Sequence, residues 1–233
     1  MSSDQRSPLD YGMNRLWSTP IRLRNLLQEG IVEPELHEWL ENFADSAELV
    51  SGPLDYLRDP SKRYSRYDLS VFASPQQPEL IRIKSILVAQ ADQYVRDEIV
   101  DPLPAHDKYV VSWFVIQHPQ NAEEAPAPHY HESGDVAMVY YLTPPSNRSG
   151  SLVMFDPRGT VARGGRALPL HKAFVEFFPR RGDLIIFPRY IKHSTTPNTG
   201  ATKRKVIAGI VAYDDPHRSR FRYEAQAEDL CCI

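Results

Sequence analysis

From Tyr109 onward the chain offers one short β-branched or aromatic run after another, each closed by turn chemistry, and few architectures other than a rolled or sandwiched sheet accept that pattern. The runs are Tyr109–Gln117, Val136–Leu142, Ser151–Phe155, Ala173–Phe178, Asp183–Phe187, a short piece at Ile191–Thr195, and Arg204–Tyr213. Between them lie Pro-Pro-Ser-Asn-Arg-Ser-Gly, the glycine-rich stretch Pro157 to Arg166, Pro-Arg-Arg-Gly and Pro-Asn-Thr-Gly. The first run is too continuously apolar for a half-exposed helix. Before Pro104 the period is helical. Glu33 to Ala44 spaces Leu36, Trp39, Leu40 and Phe43 at helical intervals, which leaves His37 off the apolar face and in solvent. Pro78 to Val100 predicts a second helix burying Ile81, Ile83, Ile86, Leu87, Ala91 and Val95. Leu16 to Arg24 reads as a short strand that Pro20 confines to an edge, and Ser51 to Pro78 reads as an exposed connection. The order helix, helix, strands predicts a mainly β, α+β protein in which helices buttress one face of the sheet.

A chain of 233 residues can bury a substantial interior, and a net charge of -3 gives no reason to expect nucleic acid as a partner. The two cysteines, Cys231 and Cys232, are adjacent, so they supply neither a disulfide framework nor a Cys-rich zinc site. The N-terminal residues lack the basic-then-apolar pattern of a secretory signal and no run is long enough to span a bilayer, so a cytoplasmic location without membrane contact is expected.

One stretch carries chemistry. In Pro128-His-Tyr-His-Glu-Ser-Gly-Asp135, the imidazoles of His129 and His131 stand two apart on an extended segment, so both leave the same face and can aim at one point. Neutral imidazole is a good ligand for iron and zinc, although a surface H-x-H beside a turn has the same spelling. A third ligand is available at His193, where the buried run Gly182-Asp-Leu-Ile-Ile-Phe-Pro ends and the next strand begins. Farther on, Arg204 shares a strand face with Val206, Ala208 and Ile210, whereas Lys203 and Lys205 take the opposite face. An arginine directed into an apolar interior needs an anion, unless it simply reaches solvent from the strand's first position.

The ordered set of H-x-H, Val-Tyr-Tyr-Leu, Gly-Ser-Leu-Val-Met-Phe-Asp-Pro, Gly-Asp-Leu-Ile-Ile-Phe-Pro, a distal histidine and a following arginine resembles the 2-oxoglutarate- and Fe(II)-dependent oxygenases of the prolyl-hydroxylase-like branch. The resemblance covers approximately Tyr109 to Asp214, with a weaker echo in Leu-Trp-Ser-Thr-Pro-Ile. It implies a double-stranded β-helix, the cupin-like jelly roll, over residues 105–215, with residues 1–104 as a strand and helical support within the same domain and residues 216–233 as a C-terminal tail. It further implies His129 and His193 as Fe(II) ligands, Arg204 as partner of the distal carboxylate of 2-oxoglutarate, Tyr141 as the hydroxyl sharing that carboxylate, and Tyr140 as packing. Gln117 matches a polar position near the cosubstrate. The implied reaction is hydroxylation of an unactivated C-H bond of a small-molecule or peptidyl substrate by dioxygen.

At one position the sequence departs from the family. Where relatives carry a carboxylate two residues after the first histidine, this chain has His131, giving the catalytic and metal-binding set His129, His131 and His193. Asp135 and Glu132 are nearby alternatives, and a position left to water or halide would admit a halogenase variant. A cupin-like three-histidine enzyme without 2-oxoglutarate, of thiol dioxygenase or isomerase type, and a non-catalytic β-sandwich binding module are the competing readings. Val139, Leu152, Met154, Ile185 and Phe187 are candidates for the barrel interior. No pattern in the loops identifies the substrate, and the loop arginines Arg163, Arg166, Arg218, Arg220 and Arg222 read as solvated charge. His106, His118, His171 and His217 read as structural or exposed.

Overall fold

The structure is a computed structural model that describes residues 11–16, 19–51, 64–67, 77–99, 108–119, 127–131, 134–144, 150–157 and 173–213. Among the described residues, ten strands and two helices appear in the order β1 (Gly12–Leu16), β2 (Thr19–Asn25), α1 (Pro34–Ser51), β3 (Tyr64–Tyr67), α2 (Pro78–Glu98), β4 (Lys108–Gln117), β5 (Val136–Thr143), β6 (Leu152–Phe155), β7 (Phe174–Phe177), β8 (Asp183–Pro188), β9 (His193–Thr195) and β10 (Arg204–Tyr213). Seven strands form one sheet in the order β1-β2-β8-β5-β10-β4-β3, and three form a second in the order β7-β6-β9. The neighbouring strands of both sheets pair antiparallel, which is the two-sheet jelly roll that the family resemblance implies.

The large sheet is buried on both faces, and this explains why its strands read as continuous apolar runs. In β5, Val136, Met138, Tyr140 and Leu142 join the cluster formed with the helices, while Ala137, Val139 and Tyr141 join the cluster inside the roll. The same division separates Leu184 and Ile186 from Ile185 and Phe187 in β8, and Ile207 and Val211 from Val206 and Ile210 in β10. All five residues expected to face the interior, Val139, Leu152, Met154, Ile185 and Phe187, belong to the inner cluster. The helices cover the other face through Leu36, Leu40 and Ala44 of α1 and Leu80, Ile83, Leu87, Ala91, Tyr94 and Val95 of α2.

Several sequence expectations are corrected. His37 is not solvated: it is fully buried, with Nδ1 2.7 Å from the Tyr140 hydroxyl and Nε2 3.0 Å from the carbonyl of Leu142. The helical wheel placed it beside the apolar stripe, but α1 lies close enough to β5 for a polar side chain there to find polar partners. Ile81 is 49% exposed, and its place in the stripe of α2 goes to Leu80. The strand expected over Leu16 to Arg24 is β2, but it is internal instead of an edge, flanked by β1, which precedes it, and by β8; Pro20 is tolerated because the described pairing with β8 begins only at Arg22. The connection between the helices contains β3, which pairs with β4. No described helix is long and apolar enough to cross a membrane.

Candidate metal centre

Two backbone hydrogen bonds create the centre. The amide of His129 donates to the carbonyl of His193 at 2.9 Å, and the amide of His193 donates back at 2.8 Å, an isolated antiparallel bridge between residues far apart in sequence. Directly opposed residues of an antiparallel pair share a face, and His131 shares the face of His129 by the two-residue period. The H-x-H segment is held in place where the amide of His131 donates to Arg189, that of Arg189 to Asp135, and that of Asp135 to Val211. Gly134 completes the turn at a φ of 78°, and a Cβ there would lie 2.0 Å from Cγ2 of Ile210. Only glycine meets both requirements.

The three rings converge. Their centroids are 5.6 Å apart for His129 and His131, 4.5 Å for His129 and His193, and 5.1 Å for His131 and His193. One ring nitrogen from each lies within 4.8 Å of the others. Imidazole nitrogens bound to a common ion at about 2.1 Å sit near 3 Å apart when adjacent, so modest ring rotation closes the set. Nδ1 of His129 donates to the carbonyl of Ala127 at 3.0 Å, and Nδ1 of His193 donates to that of Ile191 at 2.9 Å. Each bond fixes the tautomer that leaves Nε2 with its lone pair, the arrangement that metal-binding histidines use. Burial, with the neighbouring His129 second, lowers the pKa of His193 to about 3, so it is neutral at any ordinary pH. Imidazole nitrogens whose tautomer is fixed in this way suit a divalent first-row ion such as iron.

The alternatives for the second ligand separate in the structure. His131 is in the cluster, whereas the carboxylate of Asp135 accepts the amide of Tyr213 at 2.8 Å. Glu132 lies outside the described residues, as do His106, His171, His217, the five loop arginines and both cysteines. His118 is half-buried at the end of β4 and is not in the cluster.

Deeper in the same cavity stands Arg204, 2% exposed. Its guanidinium lies 5.2 Å from the Tyr141 ring centroid, and Nη2 reaches the Tyr141 hydroxyl at 3.4 Å. Its Nε is buried with no hydrogen-bond partner among the described residues. Burial raises the pKa of Tyr141, which stays a phenol. A buried guanidinium with an unused donor calls for an anion, and a carboxylate ligand is one that fits. Gln117, opposite Arg204 in register, spends its amide nitrogen on the carbonyl of Thr196 at 3.0 Å and leaves Oε1 without a partner among the described residues. On the opposite face, as strand parity requires, Lys205 pairs with Asp45 of α1 at 2.6 Å.

Sequence reasoning missed several residues of the cavity wall, Trp113 and Thr195 among them. Trp113, 6% exposed, places its ring 6.1 Å from that of His131, and Thr195 lines the cavity with a buried hydroxyl that has no partner among the described residues. Thr195 could have been found, since it lies two residues beyond His193 on the same strand face.

Fold and site together define a double-stranded β-helix that gathers three histidines and a buried arginine around one cavity. Residues 111–209 match the family model described as a putative 2OG-Fe(II) oxygenase, which agrees with the resemblance read from the sequence. Among solved structures, the chain is similar to a Pseudomonas putida prolyl-4-hydroxylase, at 14% identity and TM-score 0.54 over 85% of this chain and 95% of that one. A Trichoplax adhaerens prolyl hydroxylase, solved with a hypoxia inducible factor oxygen degradation domain peptide, gives 14% identity and TM-score 0.55 over 83% of each chain. The non-heme alpha ketoglutarate dependent carbocyclase SnoK from nogalamycin biosynthesis gives 14% identity and TM-score 0.57, covering 87% of this chain and 86% of that one. No curated protein matches the chain by sequence.

Proposed function

We propose that this protein is a non-haem Fe(II)- and 2-oxoglutarate-dependent dioxygenase that hydroxylates an unactivated C-H bond of a small-molecule or peptidyl substrate. The observation that carries the reading is the cavity they share: three convergent imidazoles, with a buried arginine whose Nε has no partner among the described residues. His129, His131 and His193 would hold the metal, and Arg204 with Tyr141 would hold the distal carboxylate of the cosubstrate. Bound iron and 2-oxoglutarate would supply the activation of dioxygen, with 2-oxoglutarate converted to succinate and carbon dioxide and one oxygen atom passed to the substrate. The chain's own contribution is positional. The His129–His193 bridge sets the ring geometry, the carbonyls of Ala127 and Ile191 hold the tautomers, and Val139, Leu152, Phe187 and Val206 keep the cavity wall apolar.

The peptide bound to the Trichoplax neighbour and the place of SnoK in nogalamycin biosynthesis support both substrate classes, and the reading commits to neither. A three-histidine enzyme that does not use 2-oxoglutarate would leave Arg204 without an anion, which favours the oxygenase. Anaerobic addition of Fe(II) and 2-oxoglutarate should produce the weak visible charge-transfer band of their chelate. Arg204→Ala should weaken 2-oxoglutarate binding by at least about tenfold while leaving metal binding nearly unchanged. No band at saturating ligand would overturn the proposal.

A further inference from the structure

We infer that Thr195 is a further positioning residue of this cavity, donating its hydroxyl to the same carboxylate that Arg204 holds; the inference rests on the 2-oxoglutarate reading above.

Thr195 closes β9, and its register sets its direction. Its partner in β6 is Leu152 and that of His193 is Met154, and both partners belong to the inner cluster. The side chains of His193 and Thr195 therefore point into the roll, two residues apart, or roughly 6–7 Å along the strand. That spacing matches the length of a five-carbon dicarboxylate with one end at the histidines and the other at the hydroxyl. Thr195 is 8% exposed and lines the cavity together with Arg204.

Two unused donors at one cavity are the decisive feature. Oγ1 of Thr195 and Nε of Arg204 are both buried without partners among the described residues. Buried polar groups are almost always paired, because each unpaired one forfeits its hydration without return. The neighbouring hydroxyl of Thr196, by contrast, is fully engaged with the amide and side chain of Ser151, at 2.9 and 2.8 Å. The sheet thus satisfies the outward threonine and leaves the inward one for a ligand. A carboxylate can accept from the Thr195 hydroxyl and the guanidinium together, with Tyr141 as a second hydroxyl at the guanidinium.

The test compares wild type, Thr195→Val and Thr195→Ser by anaerobic calorimetric titration of the Mn(II)-loaded protein with 2-oxoglutarate, with Mn(II) affinity and apo melting temperature measured alongside. Valine preserves shape and removes the donor, so its 2-oxoglutarate affinity should fall about tenfold or more, while serine stays within a few-fold of wild type. Mn(II) affinity without 2-oxoglutarate should be unchanged. The apo melting temperature of Thr195→Val should be equal to or above that of wild type, because the hydroxyl it removes has no partner among the described residues. Unaltered 2-oxoglutarate affinity in Thr195→Val, or a markedly lower melting temperature, would overturn the assignment of Thr195 alone. A wild-type protein that binds Mn(II) but no 2-oxoglutarate would overturn the cosubstrate reading and this inference with it.

Discussion

His131 is the residue at which this chain parts from the usual two histidines and a carboxylate, and the substitution has an electrostatic consequence. A neutral third ligand leaves the full charge of a divalent ion on the centre, whereas a carboxylate would offset one unit of it. His131→Asp should therefore strengthen Mn(II) or Co(II) binding in the absence of 2-oxoglutarate by about tenfold or more, measured by competition with a chelating dye. Unchanged or weaker binding would show that His131 does not hold the metal. The pair His129 and His131 was legible because its geometry is local: a two-residue spacing on extended chain fixes a common face. His193 could be suggested only by its place at the end of a buried run, since nothing local says which strand ends meet. Thr195 was missed because an inward hydroxyl has no signature apart from the register of its strand. His37 was misread because a helical wheel contains no information about the polar groups of a facing sheet.

Between elements, the His37–Tyr140 contact ties α1 to β5 through the core. Burial lowers the pKa of His37, so the folded protein keeps it neutral, donating from Nε2 to Leu142 and accepting the Tyr140 hydroxyl at Nδ1. The unfolded chain takes up that proton near its ordinary value of about 6.5, so this contribution to stability is complete above that pH and is lost as the pH falls below it. The urea midpoint should drop from about pH 7.5 to about pH 5.5, and His37→Gln should flatten that dependence. Tyr140→Phe, which strands Nδ1 of a buried imidazole, should cost about 1–3 kcal/mol. The turn into β5 gives a separate expectation. Gly134→Ala meets both a positive φ and Ile210, so it should lower the melting temperature and, by moving the H-x-H segment, weaken metal binding as well. The strand positions themselves were largely readable, because turn residues punctuate them. Their facing was less so, since strands buried on both sides lose the alternation that assigns a face, and β3 lies where the sequence offers only turn-rich composition.

For the molecule as a whole, the centre exists only when the roll is closed. His129 and His131 precede β5, His193 opens β9 and Arg204 opens β10, in a fold in which β9 belongs to the small sheet and β5 and β10 to the large one. Ligands that need all of these bind the folded state alone, so metal and 2-oxoglutarate should each add about 2.7 kcal/mol of stability when near a hundredfold its dissociation constant. For a chain of this size, that is a rise of about 5–10 °C in melting temperature, which scanning calorimetry can follow. Whether the three imidazoles meet on one ion is settled most directly by X-ray absorption at the iron edge of the anaerobic protein with 2-oxoglutarate bound. Wild type should show three imidazole ligands and His131→Ala two; a wild-type shell with fewer than three, or one unaltered by His131→Ala, would contradict the centre described above.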